Sequence, residues 1–154
     1  MKALFGKFSD GSNIYRYTLR NSSGMEVDLT NYGAILSSIR VPDKNGIFDD
    51  ILLGYDNLEG YLKDNYYMGA LVGRYANRIA GGVLPIGGRT YQLNTNNGAN
   101  HLHGGPKGFS KVCWDEIEVK ENSSITFGYI SDDLEENYPG RLSIRVKNSL
   151  GEDN

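Results

Sequence analysis

Cysteine is almost absent. Cys113 is the single one in 154 residues, which excludes an internal disulfide and points to a reducing compartment. Histidine is scarce too, with only His101 and His103. In a strand their spacing would put both on one face, but zinc needs three or four protein ligands, so no metal centre is expected. No run approaches the roughly eighteen apolar residues of a membrane helix. Met1 to Asp10 has no apolar signal-peptide region, so the sequons at Asn21 and Asn122 should stay unmodified and the expected location is cytoplasmic. Positive charge is not in excess. Sixteen Lys and Arg against nineteen Asp and Glu give a net charge of −3. That balance excludes the basic footprint of a nucleic-acid partner and gives no reason for an anionic membrane surface.

What is abundant is glycine, at 20 residues, and tyrosine, at 11. Glycines supply turns and tyrosines favour strands. Tyr15, Tyr17 and Leu19 alternate with Ile14, Arg16 and Thr18, and Met25, Val27 and Leu29 alternate with Glu26, Asp28 and Thr30, the clearest period of a half-buried strand. Asn21 to Gly24 reads as their turn. Ile35 to Val41 reads as a strand stopped at Pro42-Asp43-Lys44-Asn45-Gly46, and Ile51 to Tyr55 is a short apolar run. Val83 to Ile86, Gly87-Gly88 and Arg89 to Leu93 spell a hairpin, with Pro85 placing its strand near an edge. Val112 to Val119, Ile125 to Ile130 and Leu142 to Val146 alternate again. The segment Leu58 to Asp64 has room for one helical turn, and no longer stretch has helical spacing. With no repeat or linker, residues 1–154 read as one all-β domain, a sandwich. Asn148 to Asn154 is turn chemistry.

Two segments concentrate polar and glycine residues: Gly73-Arg74-Tyr75-Ala76-Asn77-Arg78-Ile79-Ala80-Gly81-Gly82, and Asn96-Asn97-Gly98-Ala99-Asn100-His101-Leu102-His103-Gly104-Gly105-Pro106-Lys107-Gly108-Phe109. Neither is a phosphate loop, for want of a Lys-Ser/Thr pair and a following helix. Neither is a dinucleotide fingerprint, for want of a strand–loop–helix unit. The acidic stretch Asp132, Asp133, Glu135, Glu136 reads as a solvated turn. What remains is polar recognition. Arg78 carries a fork of donors, Asn77 both donates and accepts, and His103 does either near neutral pH. Sugar hydroxyls need such mixed partners. The plainer alternatives are a surface ion pair for Arg78 and satisfied loop carbonyls for His103.

These segments resemble the two signatures of the aldose 1-epimerase (galactose mutarotase) family, at 73–82 and at 100–109 with Trp114 just after. Leu29-Thr30-Asn31-Tyr32-Gly33-Ala34, Asp50-Ile51-Leu52-Leu53-Gly54-Tyr55-Asp56, Tyr91-Gln92-Leu93 and Tyr138-Pro139-Gly140 match in order. The resemblance implies a galactose-mutarotase-like supersandwich and the interconversion of α and β anomers of aldoses such as galactose or glucose, without a cofactor. It makes Asn77, Arg78 and His103 the substrate-binding residues and a small aldose sugar the partner. The departures matter as much. The family's catalytic histidine motif, its sugar-binding aspartate and its C-terminal glutamate have no counterpart in this sequence, so no catalytic residue is assigned. The expectation is a truncation to about the N-terminal half, inactive alone, whose partner is a C-terminal half supplied in trans or a second copy at an open sheet edge. The other reading left open is a carbohydrate-binding β-sandwich module without turnover.

Overall fold

A computed structural model describes residues 1–152. Its largest sheet follows chain order: β1 (Lys2–Lys7), β2 (Asn13–Arg20), β3 (Glu26–Thr30), β4 (Leu36–Pro42) and β5 (Phe48–Asp50), all antiparallel. The alternation read in the sequence sets its two faces. Tyr17, Leu19 and Leu29 turn inward and are buried, while Arg16, Thr18 and Arg20 line the other side. On that outer side Arg20, Glu26 and Arg40 form a cross-strand charge ladder, Glu26 sitting between the two guanidinium groups. Exposed pairs of this kind add only about 0–1 kcal/mol each, so the inner face carries the stability.

That inner face meets a second antiparallel sheet of β10 (Asp115–Lys120), β11 (Ser124–Ser131) and β12 (Leu142–Ser149). Ile125 and Phe127 of β11 are fully buried in one cluster with Tyr17, Leu19, Leu29, Phe109 and Trp114. The Tyr17 and Phe127 rings join the sheets edge to face, with centroids 5.4 Å apart at 71°, a favoured aromatic geometry. This is the expected sandwich. A smaller cluster of Ile14, Tyr32, Ile35, Leu58 and Tyr61 lies beside it. It is closed by α1 (Leu58–Lys63), the single turn expected there. Asn57 caps α1 by accepting from the Gly60 amide at 3.0 Å, and Glu59 pairs with Lys63 along one face.

Between the two sheets the chain makes two small ladders. The hairpin is β7 (Val83–Ile86) and β8 (Arg89–Gln92), a two-stranded sheet of its own. That explains how Pro85 is tolerated: it has no inner strand to serve. The second ladder, β6 (Arg78–Ile79) with β9 (His101–Leu102), joins the two polar segments.

Three readings shift. The strand expected from Val112 starts only at Asp115, because residues 112–114 pair elsewhere: the Gly33 amide donates to the Val112 carbonyl and the Trp114 amide to the Asn31 carbonyl. The apolar run at Ile51 is no strand. The pairing falls three residues earlier at β5, and Ile51 and Leu53 are 67% and 78% exposed. The turn read from Asn148 begins later, since β12 continues through Asn148 and Ser149 opposite Ile125 and Ser124. Asp153 and Asn154, the last residues of that turn, lie outside the described residues. Among the described residues no helix is long and apolar enough to cross a membrane.

Candidate functional site

The β6–β9 ladder brings Asn77, Arg78 and His103 together. Arg78 pairs with Leu102 and Ile79 with His101. Just beyond the ladder the bonding becomes reciprocal: the His103 amide donates to the Asn77 carbonyl at 3.1 Å, and the Asn77 amide donates to His103 Nδ1 at 3.0 Å. The close approach needs glycine. A Cβ on Gly104, whose φ is +89°, would overlap the Gly73 carbonyl oxygen.

The bond to Nδ1 fixes the chemistry of His103. A backbone amide can only donate, so Nδ1 holds a lone pair and the neutral ring carries its proton on Nε2. His103 therefore offers an N–H donor. Arg78 is held by one bond, its Nε donating to Asn97 Oδ1 at 2.9 Å. Asn77 Oδ1 accepts from the Arg78 amide at 2.9 Å. Among the described residues nothing pairs with the Arg78 Nη groups, Asn77 Nδ2 or His103 Nε2. The free nitrogens of the wall are all donors, facing solvent where an acceptor-rich ligand can reach them.

The backbone is strained here. Asn77 (φ 68°), His103 (φ 51°) and Tyr67 (φ 57°) all occupy the left-handed region, which asparagine tolerates but which costs His103 and Tyr67 about 1–3 kcal/mol each. The Tyr67 ring meets His103 edge to face, centroids 4.7 Å apart at 62°. Strain of this order persists only where surrounding contacts over-determine the conformation, and it clusters at functional sites.

The neighbouring polar residues are structural. His101 is fully buried, and both ring nitrogens are taken: Nδ1 donates to the Asn94 carbonyl and Nε2 accepts from the Tyr138 hydroxyl, each at 2.6 Å. Burial pushes that hydroxyl up to about 12, so it stays a donor. Arg74 spends all its donors on its own fold, bonding Ser131 Oγ and the carbonyls of Ser131, Asp132, Pro139 and Gly140. The acidic stretch is only half the solvated turn expected. Asp132 and Asp133 are exposed. Glu135 accepts from the Tyr129 hydroxyl and Ser131, and Glu136 accepts from the Lys107 amide and Asn94 Nδ2, both at 2.8 Å. This turn props the second polar segment from behind.

Two hollows, of about 420 and 440 Å³, lie elsewhere, on the outer face of the larger sheet around Arg16, Asp28 and Asp56, and around Arg20 and Phe48. There Arg16 faces Asp28, and Arg20 and Arg40 share Glu26. Asn77, Arg78 and His103 line neither hollow; they stand on an open wall. No set of three His, Cys, Asp or Glu groups among the described residues is placed to hold a metal ion. Asn97 and Tyr67 were not singled out in the sequence. Asn97 sat in plain view inside the second polar segment, whereas Tyr67 carries no local signal beyond its place in a Tyr-Tyr pair.

Comparison with known proteins gives the family and the fold. The family model described as aldose 1-epimerase matches residues 15–154. Galactose mutarotase from Bos taurus is 40% identical over 149 residues, covering 97% of this chain and 43% of the relative. Aldose 1-epimerase from Escherichia coli strain K12 is 40% identical over 145 residues, covering 94% of this chain and 42% of the relative. The crystal structure of galactose 1-epimerase from Lactobacillus acidophilus NCFM superposes with a TM-score of 0.85 at 28% identity, covering 100% of this chain and 45% of that one. The GalM/aldose epimerase homologue from C. elegans gives 0.84 at 32% identity, over 88% and 41%. The chain thus spans less than half the length of the relatives it matches.

Proposed function

The chain belongs to the aldose 1-epimerase family, and from that premise we propose that it forms the substrate-gripping wall of a mutarotase site. Asn77, Arg78 and His103 hold an aldopyranose such as galactose or glucose. The observation that carries this reading is His103 fixed as an Nε2–H donor beside the free Arg78 fork. A pyranose ring oxygen has lone pairs and no hydrogen, so it complements such a wall. Ring opening moves the anomeric hydroxyl proton to a base, breaks the C1–ring oxygen bond and delivers a proton to that oxygen. Donors already aimed at the ring oxygen stabilise the charge developing there, without reorganising at the moment of reaction.

The acid and base are a different matter. His101 is buried and saturated, and His103 is a positioned donor. We assign the proton transfers to residues outside this chain, and the 154-residue chain alone should bind sugar without speeding its mutarotation. Each missing group costs about 10²–10⁴ in rate. The outer edge of β12 gives a complementing segment a place to pair. Ile144 and Val146 are only half-covered there and Leu142 is 41% exposed. Of the candidate occupants, a C-terminal half in trans would also supply the missing acid and base, so we favour it over self-association and over a stand-alone binding module. The single half-buried thiol, Cys113, fits a reducing, cytoplasmic setting. Polarimetry of α-D-galactose is the test: no acceleration by the chain alone, acceleration on adding the remaining half as a second polypeptide. Turnover by the pure chain would overturn the proposal.

A further inference from the structure

We infer that Tyr67 is a positioning residue that holds the His103 ring with Nε2–H outward, an inference that rests on the reading of His103 as a sugar donor. A histidine ring can turn about its χ2 bond and exchange the places of nitrogen and carbon edges. The Asn77 amide opposes this at one atom, Nδ1. The edge-to-face contact with Tyr67, 4.7 Å between centroids, opposes it along the ring. The two together leave one orientation.

Tyr67 is itself built into place. Its left-handed backbone is flanked by two amides fastened to one carboxylate: Tyr66 N donates to Asp64 Oδ1 at 3.0 Å and Met68 N to Asp64 Oδ2 at 3.1 Å. Asp64 is buried and also accepts from the Tyr55 hydroxyl at 3.0 Å. The following turn docks on β4, where the Leu36 amide donates to the Gly69 carbonyl at 2.9 Å and a Cβ on Gly69 would overlap the Leu36 carbonyl oxygen. At its other end the Tyr67 hydroxyl meets the Asn96 side chain. Asn96 in turn grips both backbone groups of Leu102, the residue before His103, at 2.7 and 2.9 Å. The support closes a ring from Tyr67 through Asn96 and Leu102 back to His103. A purely space-filling tyrosine would not need a backbone conformation that a β-carbon disfavours.

The test is long-range proton–nitrogen NMR of the chain labelled at histidine nitrogens, with galactose titrations alongside. His101, locked as the opposite tautomer by Asn94 and Tyr138, is the internal control. In the native chain and in Tyr67→Phe, which keeps the ring, His103 should show one Nε2–H form. In Tyr67→Gly, which relieves the left-handed backbone while removing the ring, His103 signals should broaden or average between tautomers, with galactose affinity falling about five-fold or more and the melting temperature unchanged or raised. Tyr67→Asn, also at ease with positive φ, repeats the measurement should the glycine variant not fold. Native His103 signals in the ring-less variants would overturn the inference. Should the tautomer respond as stated while the native chain takes up no galactose, the positioning role stands and the sugar-binding reading falls.

Discussion

Arg74 and Arg78 stand four residues apart in one motif, yet the structure gives them opposite duties. Removing Arg74 in Arg74→Ala strips hydrogen bonds from five acceptors. Those on Pro139 and Gly140 lie near the surface, where water can replace the guanidinium. Ser131 is fully buried; its hydroxyl still donates to Glu135, but its hydroxyl oxygen and its carbonyl each lose a bond to a charged guanidinium where water does not reach. A hydrogen bond to a charged group contributes about 1.5–3 kcal/mol, and two such bonds come to roughly 4 kcal/mol. For a chain of this size that is a fall in melting temperature of roughly 8–16 °C. Arg78→Ala breaks one bond, to an asparagine, from an exposed side chain. Such surface changes stay within about 0.5 kcal/mol, so its melting curve should overlay the native one while galactose binding disappears. Thermal unfolding followed by circular dichroism, with calorimetric titration of the same samples, reads both. Equal destabilisation by the two substitutions, or a neutral Arg74→Ala, would refute this division.

Other consequences can be measured separately. Asn97→Ala frees the Arg78 Nε without touching the core, and should weaken galactose binding by about 1 kcal/mol, read by calorimetry, with stability unchanged. Phe127→Ala should cost about 3–5 kcal/mol in urea unfolding, because Phe127 is fully buried at the meeting of the sheets. Alkaline stability should reflect Tyr138. Its hydroxyl titrates at about 12 in the fold against 10.0 ordinarily, so its contribution is complete below pH 10 and lost as pH rises through about 12, a matter of about 3 kcal/mol. Denaturant titrations between pH 9 and 12 should therefore show a steeper decline in the native chain than in Tyr138→Phe.

The strands that could be read from the sequence are those whose two faces meet different environments. β2, with Tyr17 and Leu19 inward and Arg16 and Arg20 outward, shows its alternation plainly, and the Gly87-Gly88 hairpin announces itself through turn chemistry. β10 alternates just as cleanly, but Ile117 and Val119 remain 48% and 44% exposed; alternation tells which residues share a face, not whether anything covers it. β6 and β9 hold two residues each, too few for any period, so the ladder that assembles the site was invisible. Residue type drew attention to Asn77, Arg78 and His103. It could not separate Arg74 from Arg78, or His101 from His103, because those distinctions depend on partners distant in sequence: Ser131, Pro139 and Gly140 for Arg74, Tyr138 for His101. Tyr67 acts through a turn set by Asp64, with no motif around it.

The β6–β9 staple also constrains how this surface can change over evolutionary time. Each segment's main chain completes the other's, and side chains along a strand alternate sides. Slipping the pairing of Arg78 with Leu102 by a single position would turn Arg78 away from its neighbours and part the Asn77 amide from the imidazole. An insertion inside one paired stretch thus needs a matching one in the other, and the two stretches keep their lengths as a pair.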